Sequence, residues 1–284
     1  MAGQVMELVA KASPYLAHHG STSPRLDAEL LLADALGLSR MDLYLQFERP
    51  LTGDEVDRYR DLCRRRAGGE PVAYIRGRRE FMSLDLLVTP AVMIPRPETE
   101  LLVEAALKRL DALPAGERER APLVLDVGTG SGAVALAIAA GRTDCRLVAT
   151  DVSAEALEVA RQNVQRLEMG DRVELRQTDL VEGIDEEFDQ VLANLPYIDP
   201  DWPEAVTAEV AGSEPSLSLY AGKDGLDLIR RLLPELPRLA PGGAALLEFD
   251  PRQRDALHQL ASGFGTLEVL QDLAGRDRVL VISL

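Results

Sequence analysis

Asn194-Leu195-Pro196-Tyr197 is the stretch of this 284-residue chain best suited to handling a planar amino group. An amide or exocyclic amine is a poor nucleophile because its lone pair is delocalised. The same resonance gives a peptide C–N bond a rotational barrier of roughly 18–20 kcal/mol. Two acceptors aimed at the N–H bonds orient such a nitrogen and favour pyramidalisation toward an electrophile. The Asn194 side-chain oxygen and the Leu195 backbone carbonyl are suited to be those acceptors. Pro196 stiffens the turn, and Tyr197 offers a flat face to the planar group. In-line positioning then does most of the work, worth about 7 kcal/mol or more. No general base is demanded, since the proton becomes acidic as the nitrogen is alkylated. The plainer alternative, a turn that merely closes a strand, loses ground only because of what stands upstream.

Upstream, Asp126-Val127-Gly128-Thr129-Gly130-Ser131-Gly132 follows a predicted strand and opens a predicted helix. Glycines let the backbone turn sharply and let a ligand lie against it with no Cβ in the way. The free N–H groups of the helix start face that ligand. Asp151 ends the next strand, where a carboxylate accepts both hydroxyls of a ribose. The loop alone leaves S-adenosylmethionine and NAD close to even, because Gly128, Gly130 and Ala133 also satisfy G-x-G-x-x-G/A. Asp126, and Asp179 at the end of the third strand, tilt the choice to S-adenosyl-L-methionine, which carries no pyrophosphate for them to repel. A nicotinamide oxidoreductase also lacks its general acid–base histidine here.

The elements that must position these residues alternate. Strands are predicted at 123–127, 146–150, 173–177, 188–193 and 244–249, with helices at 133–140, 154–167, 226–239 and 253–260. Pro234 should bend or shorten the third of these helices. Such alternation predicts a doubly wound, mostly parallel sheet, with ligands beyond the carboxyl ends of its strands. Two further strands, 267–270 and 278–282, are joined by a short turn at Gly275, so the last should run antiparallel.

Before this lies a different kind of chain. Residues 1–70 read as a small helical domain: Val5, Leu8, Val9, Ala12 and Leu16 share a helix face, Ser23-Pro24 caps a second helix that Gly37 stops, and Thr52 with Glu55 forms a capping box. Residues 71–95, with short apolar pieces at 72–75, 80–81 and 84–89, fit a β-hairpin linker. Residues 96–284 complete the division. Thr99 or Glu98 stands near the start of a helix through Leu101, Leu102, Ala105 and Leu110, and 114–121 reads as a loop.

Net charge is −16 and lopsided: 12 basic and 13 acidic residues through Pro95, then 19 and 34. An acidic catalytic half disfavours nucleic acid as substrate. The basic cluster Arg64, Arg65, Arg66, Arg76, Arg78 and Arg79 reads either as a solvated helix end and turn or as a docking face for a nucleoprotein. No apolar run of about 18 residues predicts a membrane span, and Met1–Lys11 shows no signal-peptide core. A cytoplasmic protein with no membrane partner is expected. Cys63 and Cys145 read as reduced buried thiols, and the three histidines have no zinc-ligand spacing, so no metal site is expected.

At these residues the chain resembles the release factor glutamine methyltransferases. Gly69-Glu70-Pro71-Val72-Ala73-Tyr74-Ile75-Arg76-Gly77 with Glu80-Phe81 resembles their inter-domain hairpin. Ile94-Pro95-Arg96-Pro97-Glu98-Thr99-Glu100 is similar to their most specific signature, Leu125–Gly132 to their cofactor loop, and Glu214-Pro215 with Gly222-Lys223-Asp224-Gly225-Leu226 to the region after the active-site loop. The resemblance implies a seven-stranded class I methyltransferase sheet behind a small all-α domain. It implies an enzyme that methylates the glutamine amide in the Gly-Gly-Gln tip of class I peptide chain release factors, supporting translation termination and releasing S-adenosyl-L-homocysteine. Gly128, Thr129, Gly130, Ser131, Gly132, Asp151, Asp179 and Leu180 would hold the cofactor, with Leu180 against its adenine. Asn194 would bind both partners, and Asn194–Tyr197 would grip the glutamine. The helical domain would dock the release factor, and a monomer is expected. Two departures stand out. Leu195 replaces the second residue of the family's Asn-Pro-Pro-Tyr, and Asn-Leu-Pro-Tyr also occurs in ribosomal RNA adenine methyltransferases; Glu248-Phe249-Asp250 replaces Glu-Ile-Gly. The alternative is an adenine or cytosine amino methyltransferase acting on RNA or DNA, but the RNA enzymes have no counterpart of the proline-arginine signature or the hairpin.

Overall fold

Proline and glycine set the limits of several early helices, because one fixes φ and the other accepts a left-handed backbone. The computed structural model describes residues 3–113, 120–202 and 207–284. Helices α1 (Val5–His18), α2 (Pro24–Leu36), α3 (Arg40–Leu45), α4 (Gly53–Ala67) and α5 (Val72–Arg76) come first. They bury Val5, Val9, Leu16, Leu31, Leu32, Leu43 and Tyr59 in a core of their own. Gly37 ends α2 in the left-handed region, and Thr52 and Glu55 form the reciprocal capping box on α4.

Two local expectations fail here. Ser23 precedes α2, but its hydroxyl does not cap the helix; Ser21 instead donates to Asp27 at 2.7 Å. Val72–Ile75 is not extended. Pro71 starts a helical turn and left-handed Gly77 stops it, so that Tyr74 and Ile75 are buried. Tertiary burial overrides the strand preference of Val72 and Ile75.

The hairpin proper is β1 (Arg78–Phe81) with β2 (Leu84–Leu87). Its turn, Met82-Ser83, is left-handed at both residues, and carboxylates of Glu100 and Glu80 accept the two turn N–H groups. A tight turn at Pro97–Thr99 leads into α6 (Glu100–Asp111). The loop expected at 114–121 lies mostly outside the described residues.

Strands and helices then alternate as expected: β3 (Leu123–Val127), α7 (Ala133–Gly141), β4 (Arg146–Asp151), α8 (Ala154–Arg166), β5 (Val173–Gln177), β6 (Gln190–Ala193), α9 (Ala208–Ser213), α10 (Asp227–Leu232), α11 (Leu236–Leu239), β7 (Ala244–Glu248), α12 (Arg254–Ala261), β8 (Thr266–Gln271) and β9 (Asp277–Ser283). Between α10 and α11 the helix tightens into a 3-10 turn at Leu233–Glu235, where Pro234 cannot donate.

The seven strands lie in the order β5-β4-β3-β6-β7-β9-β8, parallel except for β9, which runs antiparallel to both neighbours. Successive side chains of a strand point to opposite faces. In β7, Ala244 and Leu246 therefore pack with α6 and α7, while Ala245 and Leu247 pack with α10, α11 and α12. Burial on both faces is what a parallel sheet requires. Strand order reverses between β3 and β6, which opens a crevice at their carboxyl ends.

By contacts the chain forms two units. One holds the residues up to Arg78 together with Ala208–Ser213, and the other the rest. Helix α9 thus belongs to the helical unit, where Arg66 bonds Asp27 at 2.7 Å and Glu209 at 2.8 Å. Arg66 is only 7% exposed, which corrects its reading as a solvated member of the basic cluster. The rest of that cluster is also largely neutralised, with Arg64 on Asp61, Arg65 on Glu70 and Arg78 on Asp34. Cys63 and Cys145 are both buried. Among the described residues no helix is long and apolar enough to cross a membrane.

Candidate active site

A cavity of about 310 Å³ sits over the carboxyl ends of β3, β4, β5 and β6. Its wall includes Gly128, Thr129, Gly130, Ser131, Asp151, Asp179, Leu180, Asn194, Leu195 and Pro196. The sheet reversal brings these scattered residues together. Gly132 and Tyr197 are the two site candidates that do not line it.

The glycine loop is shaped from beneath by carboxylates. Gly128, Gly130 and Gly132 all have positive φ. Asp126, buried at the end of β3, accepts the Thr129 hydroxyl at 2.6 Å and the Ala135 N–H in the first turn of α7 at 3.2 Å. A carboxylate there satisfies an orphan donor of the helix. Burial nonetheless raises the Asp126 pKa to about 6, against those two hydrogen bonds. Gly132 serves packing: a Cβ there would stand 3.1 Å from Leu136 and 3.5 Å from Ala160 of α8.

Asp151 is oriented by main chain. One oxygen accepts Gly130 N–H and the other Ser153 N–H, each at 2.9 Å; burial raises its pKa. Asp179 bonds Arg231 at 2.8 Å, so its charge is shared with that guanidinium. Leu180 stands in the left-handed region at φ 52° and accepts the Thr150 hydroxyl at 3.0 Å. Asn163, fully buried on α8, accepts Leu87 N–H and donates to Leu87 O and Ser131 O. It ties β2 to the glycine loop, a role no sequence pattern announced.

On the facing wall, Asn194 Nδ2 donates to the Thr99 hydroxyl at 2.9 Å. Thr99, buried at the head of α6, does not cap its helix with that hydroxyl. The bond leaves the Asn194 side-chain oxygen and the Leu195 carbonyl with no donor among the described residues. Leu195 packs so close to Gly128 that a Cβ there would stand 2.8 Å from its Cδ2. The Tyr197 carbonyl accepts the Gln253 amide at 2.9 Å, and that amide also reaches Asp224 O at 2.8 Å. Gly225 is obligatory beside it, since a Cβ there would fall 2.0 Å from Tyr197 O. Burial raises the Tyr197 phenol pKa, and the nearby Glu248 adds to the shift. Arg96 pairs with the buried Glu214. Thr99, Arg96 and Glu214 sat inside the quoted motifs; Gln253 carried no signal.

The wall fits a ligand with a ribose and a cationic centre. It offers Asp151 for hydroxyls, Leu180, Ala156 and Val152 for an apolar ring, and Arg231, already paired, as its one basic side chain.

Comparisons with known proteins place the chain in a family. Residues 7–77 match the PrmC N-terminal domain and residues 99–211 the methyltransferase small domain. A release factor glutamine methyltransferase from Rhodopirellula baltica is 39% identical over 283 residues, spanning 97% of this chain and 95% of its own. One from Moorella thermoacetica is 42% identical, spanning 96% and 95%. Among solved structures, the T. thermophilus 16S rRNA N2 G1207 methyltransferase in complex with AdoMet and guanosine aligns with a TM-score of 0.51 at 20% identity, over 72% of this chain and 49% of that one. A methyltransferase from Pyrococcus furiosus aligns at 0.50 with 19% identity, over 70% and 88%. The two structural likenesses speak for the fold alone.

Proposed function

This chain belongs to the release factor glutamine methyltransferases, and we propose that Asn194 and Leu195 are where its chemistry is organised. It is an S-adenosyl-L-methionine-dependent enzyme that methylates a side-chain amide nitrogen of glutamine in a release factor. The finer reading is that the glutamine belongs to the Gly-Gly-Gln tip of class I factors.

One observation carries this reading: Asn194 donates an N–H to Thr99, leaving its oxygen and the Leu195 carbonyl as two acceptors without a donor among the described residues, both residues lining the cavity. When bound, S-adenosyl-L-methionine supplies a sulfonium methyl and is left as S-adenosyl-L-homocysteine. The chain's own residues do the rest. Gly128 to Ser131 would let the donor lie against the backbone, with Asp151 placed to hold its ribose and Leu180 its adenine. Asn194 Oδ1 and Leu195 O take one amide hydrogen each, which turns the nitrogen lone pair out of conjugation and toward the methyl. As the new C–N bond forms, the nitrogen sheds one proton to water, so no residue need act as base. Pro196 and the Gln253 bond to Tyr197 keep the two oxygens from drifting. Tyr197 is read as a buttress beside the glutamine site, because it is buried and does not line the cavity.

The helical unit is assigned the docking of the release factor, and the enzyme is read as a cytoplasmic monomer with no nucleic-acid substrate. The paired arginines of its basic cluster support that last point. A labelled-methyl assay tests the assignment. Label should enter an intact class I release factor, and neither a factor whose Gly-Gly-Gln glutamine is replaced nor ribosomal RNA. Label in the RNA alone would transfer the chain to the amino methyltransferases of nucleic acid.

A further inference from the structure

The stretch Gly222-Lys223-Asp224-Gly225-Leu226 has no part in the chemistry so far, and none of its residues lines the cavity. Its backbone is nonetheless unusual: Asp224 stands in the left-handed region at φ 67°, between two glycines that also have positive φ. A non-glycine residue persists there only where its surroundings over-determine it.

Those surroundings hold Asp224 by both of its main-chain groups. Its N–H donates to Asp199 Oδ2 at 3.0 Å, and its carbonyl accepts Gln253 Nε2 at 2.8 Å. Each of the two side chains is itself oriented. Asp199 Oδ1 accepts Asp201 N–H at 2.8 Å. Gln253 Oε1 accepts Asp250 N–H at 3.0 Å, so the NH2 end of the amide must face Asp224. The second hydrogen of that NH2 goes to Tyr197 O at 2.9 Å. These bonds close a ring through Tyr197, Asp199, Asp224 and Gln253, with Asp199 and Gln253 both buried. Gly225 lets the ring close, since a Cβ there would fall 2.0 Å from Tyr197 O and 2.7 Å from Gln253 Nε2. Ile198, inside the ring, donates to Leu219 O and accepts Ala221 N–H.

The ring matters because Pro196 has no N–H. The peptide between Leu195 and Pro196 therefore has one hydrogen-bonding group, the Leu195 carbonyl, and that is the group left for the substrate. Its direction must be fixed from its flanks. Thr99 holds Asn194 on one side, and the ring holds the Tyr197 carbonyl on the other. We propose that Asp199 and Gln253 are positioning residues that grip Asp224 by its N–H and its carbonyl and, through Tyr197, aim the Leu195 carbonyl at the substrate amide. The proposal rests on the reading of Asn194 and Leu195 as acceptors.

The test compares kcat, measured per cofactor-binding site, with KM for the release factor and Kd for the cofactor. Gln253→Met keeps the side-chain length and removes its bonds to Tyr197, Asp224 and Asp250. Its kcat should fall about 10–100-fold, the scale of a reacting group misplaced by about 1 Å. Asp199→Asn can still accept one of the two N–H groups, so its fall should be smaller, about 3–10-fold. KM and Kd should stay within about threefold in both. Since both residues act on Asp224, the double variant should be no slower than Gln253→Met alone, whereas independent losses multiply. Wild-type kcat in Gln253→Met, losses confined to KM and Kd, or losses that multiply overturn the proposal. Should Gln253→Met bind no cofactor, Asp199→Asn decides, and an unchanged kcat there overturns it equally. An inactive Asn194→Ala beside an unaffected Gln253→Met would sink the ring and leave the acceptor reading standing; an active Asn194→Ala would sink both.

Discussion

The two walls of the cavity are built by different means. On the β3–β4 side the backbone makes the surface: three left-handed glycines set the loop, and Asp126 and Asp151 are anchored by main-chain N–H groups within a few residues of it or on the adjacent strand. On the β6–β7 side, side chains reach across long sequence distances, from Thr99 to Asn194 and from Gln253 to Tyr197. A wall of backbone tolerates any ligand that leaves room for no Cβ, and suits holding. A wall of hydrogen-bonded side chains fixes the polarity of one amide, and suits reacting. If the proposed roles hold, the difference makes binding and catalysis separable here.

Asn194→Ala should break the comparison most sharply. Loss of one aimed polar group at a reacting centre costs on the order of 10²–10³ in kcat, and cofactor affinity should change little. Equal losses in both, measured by single turnover and cofactor titration, would mean the walls are not separable. Asp151→Asn should show the opposite split. Removing a charge-assisted bond costs about 1.5–3 kcal/mol, or roughly 10–150-fold in cofactor affinity, with kcat at saturation nearly kept. A fall in kcat alone would dissolve the distinction.

Gly128→Ala sharpens the one point where the walls touch. Its added methyl meets Leu195 at 2.8 Å and sits on a backbone of φ 75°, so stability should drop by about 1–3 kcal/mol. Adding Leu195→Ala should recover part of the loss in a thermal melt. No recovery would assign the whole effect to backbone strain.

How much of this was legible depends on how far apart the partners stand. The glycine loop, Asp151 and the strand–helix alternation are local patterns, and the sheet order follows from them with few alternatives. The Asn194 loop was legible as chemistry, yet nothing local said which way its amide faces. Val72–Ile75 misled because a short apolar run bounded by Pro71 and Gly77 suits a helical turn once Tyr74 and Ile75 find a core. Arg66 misled because its partners, Asp27 and Glu209, lie on elements that only folding brings beside it.

The sequence by itself determined the parallel strands, the glycine loop and the carboxylates at the strand ends, because period, glycine placement and strand-end residues act through the neighbouring backbone. Only the tertiary structure decided the polarity and rigidity of the reacting end. Those depend on Thr99 and Gln253 reaching hydrogen-bond distance of one loop, and a buried polar group acquires its meaning from the partners that replace its water.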